Sequence, residues 1–346
     1  MQTRRIEMTS RSLDLWTFRP LDLKTSRPLF YVILILFFFN GPVFAGALDM
    51  TRLGIGARAL AMGRAQTAAR DLASIFINPA NASAIDRFGM VSMYSNPQED
   101  LYDTVLGVGF PLKEGAMGTI GVLSISSIVS GIQSTALNNN GRAYPVSSFG
   151  YASKLMMVSY GKEINPTISA GASLKLLAKE FDGISGGSAN GFDMDLGLIF
   201  YPKDNLTLGL SAQNLLPQGW GGLKWGTGLN EEIPINFKMG ASYSPRDEIE
   251  VLVDYDSISS FHLGAEYRPG KMLAIRGGLE SFPNALNFSL GVGLKLGNLA
   301  FDYAYYIDPG LYSNSAHYFS LSYDMPYRSL ELRPFMPAER PSPAIS

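Results

Sequence analysis

The 346-residue chain contains two histidines and no cysteine, so no thiol nucleophile or thiolate metal site is possible. His262 and His317 fall on separate segments, without an HExxH motif or any paired spacing, and no metal site is expected. His317 also has no adjacent Ser or Asp placed to complete a hydrolase. Gly54-x-Gly56 invites a nucleotide reading, but no strand precedes it and no third glycine follows at the required spacing. The chain therefore reads as non-enzymatic and without a cofactor. Two other groups remain as candidates. Asn78-Pro79-Ala80 is either a ligand-responsive element or a turn capped by Asn78 and stiffened by Pro79. Trp220 and Trp225 lie in a Gly-rich stretch (GWGGLKWG), as anchors for a hydrophobic ligand or protein partner, or as rings seated at a membrane interface.

The elements that must carry these residues are strands. From Phe88 to Met325 apolar and polar residues alternate, most clearly in Leu286, Phe288, Leu290, Val292, Leu294 and Leu296. Period two puts one set on each face of a strand. The expected strands are 88–95, 104–112, 116–126, 150–161, 166–180, 190–202, 205–214, 233–244, 247–257, 260–268, 271–280, 285–296, 298–306 and 316–325. Connections after even-numbered strands are short, such as Pro202-Lys203-Asp204 and Gly297. All the long ones (127–149, 181–189, 215–232 and 307–315) follow odd-numbered strands. Sorting by parity is the asymmetry of a bacterial barrel, with short turns periplasmic and long loops outside. The fold class expected is all-β: an antiparallel transmembrane barrel of about fourteen strands at 88–325. Loop 127–149, with Ile128, Val129, Ile132 and Leu137, reads as a lid over the mouth or as disorder.

Face assignment follows from the alternation. Leu208, Val251 and Phe301 are expected outward; Lys175, Asp193, Asp195, Lys238, Asp254, Glu266, Arg276, Lys295 and Asp302 are expected inward. The inward set carries both signs, so its charges can pair across the lumen or with a plug. Ahead of the strands, 46–87 is Ala-rich with scattered Arg, too short for a core of its own, and its economical place is inside the barrel. Residues 1–45 combine a basic stretch, the apolar run LFYVILILFFF and a Val43-Phe44-Ala45 cleavage site, which reads as an export signal. Residues 326–346, rich in proline, read as a periplasmic tail. The formal net charge of −2 gives no argument for nucleic acid, and 17 Tyr with 20 Phe suit aromatic girdles.

Residues 53–85 resemble the amino-terminal signature of the FadL/TodX outer-membrane superfamily, most closely its PorV/PorQ branch. The likeness is carried by Leu53-Gly54-Ile55-Gly56-Ala57-Arg58-Ala59-Leu60-Ala61-Met62-Gly63, Thr67-Ala68 and Asn78-Pro79-Ala80. Many relatives have Met-Gly-Gly where this chain has Met62-Gly63-Arg64. The resemblance implies a fourteen-stranded barrel with an amino-terminal hatch that holds the Asn-Pro-Ala tripeptide. It implies passive passage of small hydrophobic compounds across the bacterial outer membrane; the residues of the Gly-rich loop put their entry near Trp220 and Trp225. The alternative it implies is a type IX secretion component, a platform for cargo delivery or surface attachment. Expected partners are outer-membrane lipid, a hydrophobic small molecule or secretion-system proteins, and the barrel-assembly machinery during biogenesis.

Overall fold

The alternation is realised, and the identity of the exposed set decides the fold. On the strand spanning 285–296, Leu290 is 60% exposed while Ser289 beside it is 2% exposed. Leu286, Phe288, Val292, Leu294 and Leu296 are exposed too, and Asn287 is buried. A water-soluble sandwich would bury the leucines. Burying the polar set and exposing the apolar one suits a wall with lipid outside and a packed lumen within.

The computed structural model describes residues 50–98, 100–112, 117–138, 140–217, 219–257, 261–282, 285–307 and 315–325, all within one unit, Gly41–Ser346. The expected export signal and the tail 326–346 lie outside the described residues. The strands are β1 (Phe88–Gln98), β2 (Leu101–Pro111), β3 (Thr119–Leu137), β4 (Ala143–Asn165), β5 (Ile168–Phe181), β6 (Ser188–Lys203) and β7 (Leu206–Gln213). There follow β8 (Gly222–Trp225), β9 (Asn230–Glu231), β10 (Asn236–Arg246), β11 (Ile249–Asp256) and β12 (Phe261–Tyr267). The last are β13 (Leu273–Phe282), β14 (Ala285–Leu296), β15 (Leu299–Ile307) and β16 (Ser315–Met325). Fourteen of them close an antiparallel ring in chain order, with β7 paired to β10 and β16 paired back to β1 from Phe88↔Met325 to Ser95↔Tyr318. Closure leaves no open edge in the bilayer. Exposed aromatics mark two levels: Phe110, Tyr160, Tyr243 and Tyr267 near the short turns, and Tyr94, Phe237 and Phe261 near the loops. Such girdles sit at membrane interfaces.

One expected loop is mostly strand, and another holds short strand pieces. β3 and β4 run on through Leu137↔Ala143, so 127–149 is mostly a paired hairpin rather than a lid or a disordered stretch. Polar residues occupy both faces there, which erased the apolar period, while the ladder continued with no lipid to match. The stretch 215–232 holds β8, which pairs with the loop end of β6 (Ala189↔Trp225 to Phe192↔Gly222). It takes the place left by β7, which stops at Gln213.

Residues 50–87 lie inside the ring. They form short turns of helix, Met50–Leu53, Ala57–Ala61, Ala73–Phe76 and Pro79–Ala84, and most of their side chains are buried. The wall meets them with glycines. A Cβ on Gly197 would fall 2.0 Å from Asn78 Oδ1, and one on Gly161 would fall 2.2 Å from the Pro79 carbonyl oxygen. On the opposite wall, a Cβ on Gly278 would fall 2.1 Å from Gly63 N. The wall leaves the side chain out where the plug backbone touches it.

Candidate functional site

The tripeptide Asn78-Pro79-Ala80 sits at the contact between plug and wall. Asn78 caps the Pro79–Ala84 turn, its Oδ1 accepting from the Ala80 N–H at 3.2 Å. Its amide donates to the Thr67 carbonyl within the plug (3.0 Å) and to the Leu198 carbonyl of β6 (3.2 Å). Pro79 supplies a fixed φ at the first helical position, and Ala80 is small enough to be fully buried. Beside them the Ile77 carbonyl accepts from Ser211 Oγ (2.8 Å) and Gln213 Nε2 (3.1 Å) of β7. Each of the three residues serves local geometry, and Asn78 in addition ties plug to wall.

The other side of the plug is held by charge. Arg58 pairs with Asp71, with Glu250 of β11 at 2.9 Å and with Glu266 of β12 at 3.0 Å. Glu266 is shared with Arg276, which reaches Asp302 at 2.6 Å. Asp254 accepts from the Gln66 and Thr67 N–H groups, each at 2.7 Å, and Gly63 N–H donates to Ser289 Oγ at 3.2 Å. Arg64 adopts a left-handed φ of 61°, which glycine would take without strain. Its guanidinium reaches Glu280 at 2.9 Å and lies over the Tyr306 ring at 4.8 Å, contacts a glycine would lose. His262 points inward, its Nδ1 within 2.8 Å of the Gly63 carbonyl oxygen and its Nε2 within 3.2 Å of Asp256. His317 faces outward against Tyr303 and Tyr305. Among the described residues no cluster of three or more His, Asp and Glu is arranged to hold a metal.

Toward the loops the lumen turns apolar. Met93, Val105, Leu123, Ile125, Leu155 and Met157 are buried in one cluster with Tyr306 and Tyr318. Met50, Ile55 and Leu53 of the plug pack into the same cluster. Porin interiors are polar; a packed apolar cluster facing the lumen suits a different cargo. Trp225 borders it, stacked on Phe181 at 5.6 Å and donating from Nε1 to Glu231 at 2.9 Å. Glu231 in turn accepts from Lys179 at 2.8 Å. Trp220 is 76% exposed beyond it. The two indoles therefore occupy different settings, one built into the wall and one open to the surroundings.

Toward the short turns two cavities open under the plug. One, of about 390 Å³, lies between the plug and the wall of β13 to β16 and β1, with Asp86, Arg87, Lys271 and Lys295 among its liners. Asp86 accepts a hydrogen bond from Arg87, which holds its carboxyl below the usual range. The other, of about 370 Å³, is lined by Arg58, Arg70, Asp71, Thr207, Ser242 and Glu250 together with other polar groups.

Sequence reasoning missed the residues of the inward apolar cluster and the anchoring roles of Arg58, Arg64 and Ser289. Several of the cluster residues lie in stretches where Met and Val blur the alternation; that blurring is itself the signal, since both faces are apolar there.

No protein-family model and no curated protein matches the sequence. Solved structures do match in fold. The toluene transporter TbuX of Ralstonia pickettii aligns at a TM-score of 0.59 and 15% identity, over 79% of this chain and 98% of that one. The toluene transporter TodX of Pseudomonas putida aligns at 0.58 and 14%, over 82% and 99%. The monoaromatic hydrocarbon channel CymD aligns at 0.59 and 15%, over 81% and 99%. At such identities the likeness concerns backbone architecture. The chain folds as these hydrocarbon channels do.

Proposed function

We propose that the chain is a passive outer-membrane channel for small hydrophobic molecules, delivered across the inner membrane by its export signal and inserted by the barrel-assembly machinery. The observation that carries this reading is the buried apolar cluster on the loop side of the plug, in a wall many of whose other inward positions are polar. Its support is the shared fold with toluene and monoaromatic hydrocarbon channels. Molecules are captured at the loop surface near Trp220 and Trp225, part the apolar cluster by displacing Met50 and Ile55, and pass a hatch that includes Asn78, Pro79 and Ala80. The mechanism is partition and displacement, with no bond made or broken in the cargo. The test is uptake of labelled toluene by cells whose lipopolysaccharide layer slows unassisted permeation. Cells carrying the barrel should accumulate toluene faster than cells without it; equal rates would sink the reading.

A second reading is a PorV-like platform of type IX secretion, in which outer loops bind protein cargo and the barrel only anchors them. Two features favour it: the plug fills the lumen closely, and the β3–β4 hairpin projects past its neighbours with Leu137, Tyr144 and Val146 exposed. It requires that toluene uptake be unchanged and that secretion subunits copurify with the barrel.

A further inference from the structure

The plug is not held equally all round. On one side Thr119, Leu198, Ser211 and Gln213 bind its backbone or Asn78. On the other, Glu250, Asp254, Glu266, Glu280 and Ser289 hold Arg58, Arg64 and the 63–67 backbone. Between them lie β16 and β1. Among the described residues, no hydrogen bond joins the plug to β1 or β2, and β16 accepts from Ala57 N–H through Ser320 Oγ at 3.0 Å. What faces β1 is apolar or small: Gly56 lies opposite Val91, and Leu72 lies against Gly89.

The larger cavity lies under this same sector. Ile55, Leu72, Ala73 and Val91 line it, and the same four side chains belong to the buried apolar cluster that continues toward the loops. The apolar cluster therefore reaches the edge of the cavity here. A Cβ placed on Gly56 would sit 3.7 Å from Val91 and 3.8 Å from Ala73, which is ordinary contact. At Gly63 and Asn78, by contrast, plug and wall are already wedged together. The smaller cavity has no apolar liner and shares none with the cluster. Apolar side chains that part around an apolar guest exchange one contact for another, whereas parting the ion pairs strands charge in a dry site.

We infer that hydrophobic molecules cross the plug along the inner wall of β16 and β1, by displacement of the Ile55-Gly56-Ala57 step, and leave through the larger cavity beneath it. This rests on the channel reading above. The smaller, polar cavity is not on the route.

The cysteine-free chain makes the test direct. Single variants Ser322→Cys and Ala300→Cys place a thiol on the larger cavity, and Ser244→Cys places one on the smaller. Each is folded, labelled with a bulky maleimide, checked for heat-modifiable migration, and reconstituted into lipopolysaccharide-containing vesicles. Toluene uptake is then compared before and after labelling. The expected result is loss of uptake on labelling at 322 or 300 and none at 244. Block at 244, or undiminished uptake after labelling at both 322 and 300, would overturn the route while leaving the channel reading standing. If the unlabelled barrel carries no toluene, the channel reading falls and the route falls with it.

Discussion

Gly277 and Gly278 are neighbours in β13 with opposite duties. A Cβ at 278 would run into Gly63 of the plug, while one at 277 would find nothing nearer than 3.8 Å. Gly278→Ala should therefore cost about 1–3 kcal/mol through overpacking, and Gly277→Ala should be close to neutral. Urea unfolding in lipid vesicles measures both; equal effects would show that the plug does not press on the wall there. Asn78→Ala removes the cap of the Pro79–Ala84 turn and the amide that ties the plug to the Leu198 carbonyl, while Thr67 keeps Asn81 as a donor at 3.3 Å. The loss of about 0.5–2 kcal/mol should appear as faster proteolysis of residues 50–87. Unchanged protection would mean that Asn78 holds nothing. The tripeptide was legible because Asn before Pro has a strong local habit in turns. Arg58 was not, because its partners Glu250 and Glu266 lie 192 and 208 residues away and no local spacing points to them.

At the scale of elements, alternation placed fourteen strands to within a few residues wherever lipid lies on one side, since a slip of one residue would turn leucines inward. It failed where that constraint ends. Beyond Val129, β3 loses its pairing to β2, and β4 pairs with β5 only from Tyr151 onward. The rest of the hairpin has only itself. Replacing 133–148 by a tight turn should therefore leave barrel assembly intact, read as unchanged heat-modifiable migration; loss of the folded band would place the extension in the wall. β8 was hidden for another reason. Four residues with two glycines flanking them carry too little pattern to read as a strand, and their place is set by the early stop of β7. The parity of loop lengths survives in weaker form, because the long connections proved partly paired.

The described barrel is layered along its axis: a packed apolar cluster toward the loops, a plug fastened by hydrogen bonds and ion pairs, and partly charged cavities toward the turns. A general pore would need a continuous polar path, which this apolar cluster interrupts. The central claim is that the cluster parts to take hydrophobic guests. Iodobenzene is a suitable probe, because its iodine can be located by anomalous scattering in crystals of the barrel grown with it. The account predicts iodine in the lumen among Met93, Leu155 and Tyr318, with Met50 and Ile55 displaced. Iodine found only against the lipid-facing leucines, with the apolar cluster packed as before, would contradict it.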